Sequence, residues 1–168
     1  DGDPSDWPGE PAARIDLAKA RGAAFRIALA GGELLLCWQV RGLGPMKNTG
    51  NDWRKAFKSG AAVDVQLSTD PAADPRRRRP VAGDKRLLLT WLGGEPTAVL
   101  YEPVAPDAPD DAKWKVVSPV STAVFDRVRR PAGVRMARSA EPDAYVVEAA
   151  VPLKALGLDP AAGRLKLD

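Results

Sequence analysis

Two glycine pairs, Gly31-Gly32 and Gly93-Gly94, each stand between two apolar runs of strand length, and no other feature limits the possible folds as much. Ahead of the first pair, residues 24–29 (AFRIAL) alternate, with Phe25, Ile27 and Leu29 on one face, which is the period of a strand. Behind it, residues 33–40 (ELLLCWQV) form a continuous apolar run that reads as a buried strand, with Cys37 as a small core residue. The second pair joins residues 84–92 (DKRLLLTWL) to 97–104 (TAVLYEPV). A glycine pair in this setting is a tight turn, so each set reads as an antiparallel hairpin.

The same patterning continues along the chain. Val63, Val65 and Leu67 point one way, and Asp64 and Gln66 the other. Residues 113–117, 122–128, 133–138 and 144–151 are further strand candidates, and 163–168 begins another. Residues 152–158 read as one helical turn closed by Gly157. The 15 glycines and 16 prolines punctuate the chain too often for a helix bundle. Roughly eight to ten short strands in one domain, 1–168, predict an all-β fold, an antiparallel β-sandwich. Its expected core is Ile27, Leu29, Leu34, Leu36, Trp38, Val63, Val65, Leu67, Leu88, Val99, Phe125, Val147, Ala149 and Val151, buried between two sheets.

Composition removes much chemistry. The chain has no histidine, which excludes Ser-His-Asp and Cys-His nucleophiles, HExxH zinc and His-ligated haem. One cysteine excludes an internal disulfide and a CxxC metal site. No GxGxxG or P-loop pattern occurs. Asp64 and Glu148 are the acids set in strongly apolar strands. A carboxylate pair at ~5–9 Å supports glycoside hydrolysis, and a salt-bridged sheet face is the plainer reading. The net charge is +3 and the pI about 9.2. The strong basic block is Arg76-Arg77-Arg78-Arg79, followed by Lys85 and Arg86; without interleaved aromatics it reads as a solvated loop, with no nucleic-acid partner. No run approaches the ~18 apolar residues of a membrane span, so no membrane insertion is expected.

Residues 41–60 change character, and Asn51 is placed to cap a short helical turn over 52–57. Trp53 with Asn48, Asn51, Asp52 and Lys58 groups a flat ring with amides and charges in one loop, the residue types that saccharide recognition uses. Trp53 either contacts a ligand or plugs the end of the sandwich; in the first case it lines a concavity with Asn48, Asn51, Lys58 or Arg86. Arg86 is also the cross-sheet partner expected for Asp64. Trp91 either lines a sheet face or packs, whereas Trp7, Trp38 and Trp114 read as packing residues.

The ordered series DGDPSDWPG, ELLLCWQVR, PMKNTGNDW, FKSGAAVDVQLSTDP, DPRRRRPVAGDKRLLL, AVLYEPVAP, VFDRV and YVVEAAVPLKALGL resembles the family 9 carbohydrate-binding modules and the wider β-sandwich group that includes DOMON domains. The resemblance covers most of the chain and is most specific over Tyr145 to Leu158. It implies a jelly-roll-like sandwich, non-catalytic binding of glycan between aromatic rings, residence in a secreted or periplasmic multidomain protein, and structural Ca2+. Asp70, Asp74 and Asp84 are the weak calcium candidates, with pairing to the arginine run as the plainer alternative. Some DOMON domains hold haem through Met and His; Met46 is present, but no histidine is. The opening Asp1-Gly2-Asp3 reads as a piece of a longer product. The resemblance also extends past residue 168, so a missing strand, and with it a strand-mediated dimer or poor solubility, is expected.

Overall fold

The computed structural model describes residues 1–17, 20–70, 72–74, 76–119, 121–159 and 166–167. Its strands are β1 (Ala13–Leu17), β2 (Arg21–Ala30), β3 (Glu33–Arg41), β4 (Val63–Ser68), β5 (Asp84–Leu92), β6 (Glu95–Glu102), β7 (Trp114–Ser118), β8 (Ser121–Phe125), β9 (Arg127–Arg129), β10 (Arg135–Glu141), β11 (Ala144–Pro152) and β12 (Lys166–Leu167). Helical structure among the described residues is limited to short 3-10 turns. The fold class is all-β and antiparallel, consistent with a sandwich. Two compact units are distinguished, one drawn from 1–47 and 132–160, the other from 48–131 and 161–168.

The first unit is the antiparallel sheet β1-β2-β3-β11-β10. Gly31 and Gly32 (φ 58° and 78°) make the left-handed turn that pairs β2 with β3. One face of β3 carries Leu34, Leu36, Trp38 and Val40, all buried, in register with Val151, Ala149, Val147 and Tyr145 of β11. Phe25 continues this layer onto β2, its ring 4.9 Å from that of Trp38. Leu29, expected in the core, is instead 57% exposed. Pairing of β1 with β2 stops at Ala13↔Phe25, so among the described residues β2 beyond Phe25 has no strand partner on the side away from β3. β1 lies outside the strands expected from the sequence; its Ala13, Ile15 and Leu17 alternate with Arg14 and Asp16, and all five residues are exposed.

The second unit is the sheet β12-β4-β5-β6-β9, with a hairpin β7-β8. Val63, Val65 and Leu67 are buried on β4, as their alternation predicts. Gly93 and Gly94 (φ 59° and 91°) close the β5–β6 hairpin. Leu88, Val99, Tyr101, Phe125 and Ala56 form a buried cluster. Two boundaries differ from expectation. β6 ends at Glu102 and not at Val104, because Pro103 has no N–H to donate to a ladder. The single strand expected over 122–128 is two, broken at Asp126, whose carboxylate accepts the Ala105 N–H at 3.0 Å; β8 then pairs with β7, and β9 with β6. Of the strand expected over 163–168, Lys166 and Leu167 pair with β4, and the other positions lie outside the described residues.

Candidate functional site

The loop expected to bind ligand lies in the second unit and is occupied with holding itself together. Asn48 is buried: its amide donates to the Ala56 carbonyl at 2.8 Å, and its Oδ1 accepts from Ser59 Oγ at 2.8 Å and from the Gly50 N–H at 3.2 Å. The cap of the 3-10 turn Trp53–Lys58 is Asp52 and not Asn51, since the Asp52 carboxylate accepts the Arg54 N–H at 3.0 Å. Burial raises the Asp52 pKa, but the Arg54 side-chain and backbone donors outweigh it and hold the group below its usual value. Asn51 is exposed. Trp53 and Phe57 pack against the buried cluster, and Tyr101 Oη donates to the Arg54 carbonyl at 3.1 Å, which pins the turn to β6. Lys58 is exposed, with Nζ 5.8 Å from the Phe57 ring centre.

Arg86 projects from β5 toward the same turn. Its guanidinium lies 5.4 Å from the Phe57 ring centre, and its Nε donates to Asp64 Oδ2 at 2.9 Å, the cross-strand partner that the sequence suggested. Trp91 is an odd number of positions from Arg86, hence on the opposite face of β5, and is buried. The turn therefore gathers Asn48, Asp52, Trp53, Lys58 and Arg86, and leaves out Trp91. Arg86 also borders a cavity of about 360 Å³ that Trp53 does not line.

The calcium candidates do not fit a cation. Asp70 Oδ1 accepts the Ala72 N–H at 2.9 Å and Asp74 Oδ1 the Arg76 N–H at 2.8 Å, so each closes a local turn. The Asp84 carboxylate takes Arg77 Nε at 3.1 Å and the Val81 N–H at 2.9 Å. No group of three acidic or thiol residues is placed to hold a metal among the described residues. Asp84 is thus neutralised by a guanidinium, and Asp70 and Asp74 each commit one oxygen to a backbone N–H.

The first unit holds a larger cavity, about 520 Å³, on the face of its sheet opposite the Leu36–Trp38 layer. Its floor follows from strand register. Ala28, Leu35, Ala150 and Arg135 are cross-strand neighbours on β2, β3, β11 and β10, and Glu148 and Ala137 stand in the adjacent row. Small side chains in these rows leave a shallow depression, and Trp7, Asp6 and Pro8 form part of its wall. Arg135 at the rim is paired with Glu33 through two 2.8 Å bonds.

Trp7 is positioned by chemistry within its own segment. Asp3 caps a 3-10 turn over Pro4–Asp6 by accepting the Ser5 N–H at 2.9 Å. Gly2 anchors the segment to β10: its φ is +86°, a Cβ there would come within 2.9 Å of the Arg138 carbonyl carbon, and its carbonyl accepts from Ser139 Oγ at 2.9 Å. The Trp7 indole N–H then donates to Glu148 Oε1 at 2.7 Å, and the Gly2 N–H to Oε2 at 2.7 Å. Burial raises the Glu148 pKa, yet these donors outweigh it and hold the carboxyl below its ordinary range. The sequence marks Glu148 as an acid in an apolar strand and Trp7 as a packing residue. It does not join them, because they are 141 positions apart.

No helix is long and apolar enough to cross a membrane among the described residues. Compared with known proteins, the chain matches no family model, no curated protein and no solved structure.

Proposed function

We propose that this chain is a non-catalytic carbohydrate-binding module of a larger secreted or periplasmic protein, and that the saccharide occupies the Trp7–Glu148 cavity. The observation that carries the reading is one aromatic ring, half-buried and fixed through its indole N–H, beside a carboxylate and above a floor of small apolar side chains. A pyranose has an apolar face and a rim of hydroxyls, so it is met by a ring or flat apolar surface together with a few placed polar groups. Pockets of ~300–1,000 Å³ are of ligand size, which the 520 Å³ cavity matches. Both Glu148 oxygens are engaged, Oε1 by the Trp7 indole N–H and Oε2 by the Gly2 N–H, which suits a fixed binding platform. The resemblance to the family 9 modules supplies the secreted setting and the ligand class.

A glycan array followed by calorimetry on wild type and Trp7→Ala, with and without calcium, tests the reading. Binding to a neutral glycan that Trp7→Ala loses, while Trp53→Ala keeps it and instead lowers the melting temperature, is the expected result. Absence of binding to every glycan in both conditions overturns it. That outcome favours a structural or protein-interaction domain, a second reading supported by β1, whose Ile15 and Leu17 are 61% and 54% exposed at a sheet edge.

A further inference from the structure

The glycan reading leaves the arginine run unused. Consecutive like charges repel, so the arrangement of their partners is informative. Arg77 is satisfied by Asp84 and by the Asp74 carbonyl, the latter at 2.8 Å from Nη1. Arg78 and Arg79 are exposed, and neither forms an ion pair or hydrogen bond among the described residues. Downstream, Lys85 donates to Glu102 at 2.7 Å, but that carboxylate is shared with Arg127 and Arg129. Arg86 is held by Asp64.

Arg77, Arg78, Arg79, Lys85 and Arg86 all line the cavity of about 360 Å³ in the second unit, against one lining carboxylate, that of Asp84. Phe125, Pro80 and Pro103 supply apolar wall. A cleft lined by an excess of one sign of charge attracts the opposite sign. Asp84, Glu102 and Asp64 offset three of the cations, so the excess positive charge rests on Arg78 and Arg79, whose two guanidinium forks are left to close on an oxyanion in a bidentate manner. The volume exceeds what a bare ion fills, and the ring and prolines have no use for one.

We propose that this cavity is a second ligand site, independent of Trp7 and Glu148, and that it takes a small organic oxyanion: a sugar-sized body against Phe125 and the prolines, carrying a sulfate, phosphate or carboxylate group onto Arg78 and Arg79. Calorimetry and NMR titration of the 168-residue chain with glucose 6-sulfate, glucose 6-phosphate, glucuronate, glucose and inorganic sulfate test it. The charged sugars should bind more tightly than inorganic sulfate, shift resonances around Phe125 where glucose does not, and weaken as salt is raised. The preferred one identifies the charged group. Arg78→Gln/Arg79→Gln should lower that affinity about tenfold or more, the weight of a charge-assisted hydrogen bond, with an unchanged melting temperature. Wild-type affinity in that variant, or no binding of any charged sugar, overturns the proposal. Tighter binding of a single-stranded oligonucleotide than of every small anion also overturns it and assigns the run to nucleic acid.

Discussion

Glu102 shows how much one side chain can depend on residues remote in sequence. It ends β6 with 3% of its side chain exposed, and Lys85 (2.7 Å), Arg127 (2.8 Å) and Arg129 (3.1 Å) converge on it. Burial pushes its pKa up, but the donors prevail and bring it down to about 2, against 4.5 unperturbed. A folded pKa below the unfolded one gives stability that is fully present above the unfolded value and lost as pH falls through the folded one. Melting temperature should therefore drop between about pH 5 and pH 2 in the wild type. Glu102→Gln, which leaves three cations facing a neutral amide, should cost about 3–5 kcal/mol near neutrality and flatten that acid limb. An unchanged limb in the variant would show that other carboxylates carry it. The sequence does not single out Glu102, because its partners are supplied by β5 and β9. The loop residues show the opposite case. Asn48, Asp52 and Trp53 stand out in the sequence as polar and aromatic types suited to a ligand, but the same types serve to cap and pack a 3-10 turn, and residue type does not distinguish the two uses.

At the scale of the element, alternation identified the buried face of β4 and β11, whereas β5 and β6 bury consecutive residues on both faces. Leu36 on β3 is fully buried between β2 and β11, whereas Leu29, of the same type and on the same sheet, stands on an edge segment and is 57% exposed. Leu36→Ala should therefore cost about 2–5 kcal/mol in urea unfolding, and Leu29→Ala should stay within about 0.5 kcal/mol. Equal losses would mean that Leu29 is covered in solution. The glycine-pair turns were legible because positive φ is a local demand that glycine alone meets cheaply. The break at Asp126 was not, since Phe125 and Val128 flank it as an ordinary strand would; what divides the strand is a bond to Ala105.

At the scale of the whole molecule, the order of strands is set by pairings between distant segments. β3 is flanked by β2, its hairpin partner, and by β11, more than a hundred positions on; β5 is flanked by β4 and β6. Amides of β3, β11 and β5, paired on both sides, should exchange with solvent most slowly, and those of β1 and β10 fastest within their sheet. Slow exchange in β1 would reveal a neighbour covering that edge. The sequence by itself determined most of the strands and both tight turns, because backbone dihedrals and side-chain alternation act within a few residues. Only the tertiary structure decided that β11 enters beside β3, that the Trp7 indole finds Glu148, and that the arginine run lines a cavity walled by Phe125. Those outcomes depend on which remote backbone groups satisfy one another, a choice that many sheet orders permit equally at the local level and that register and side-chain volume settle only when the chain is folded.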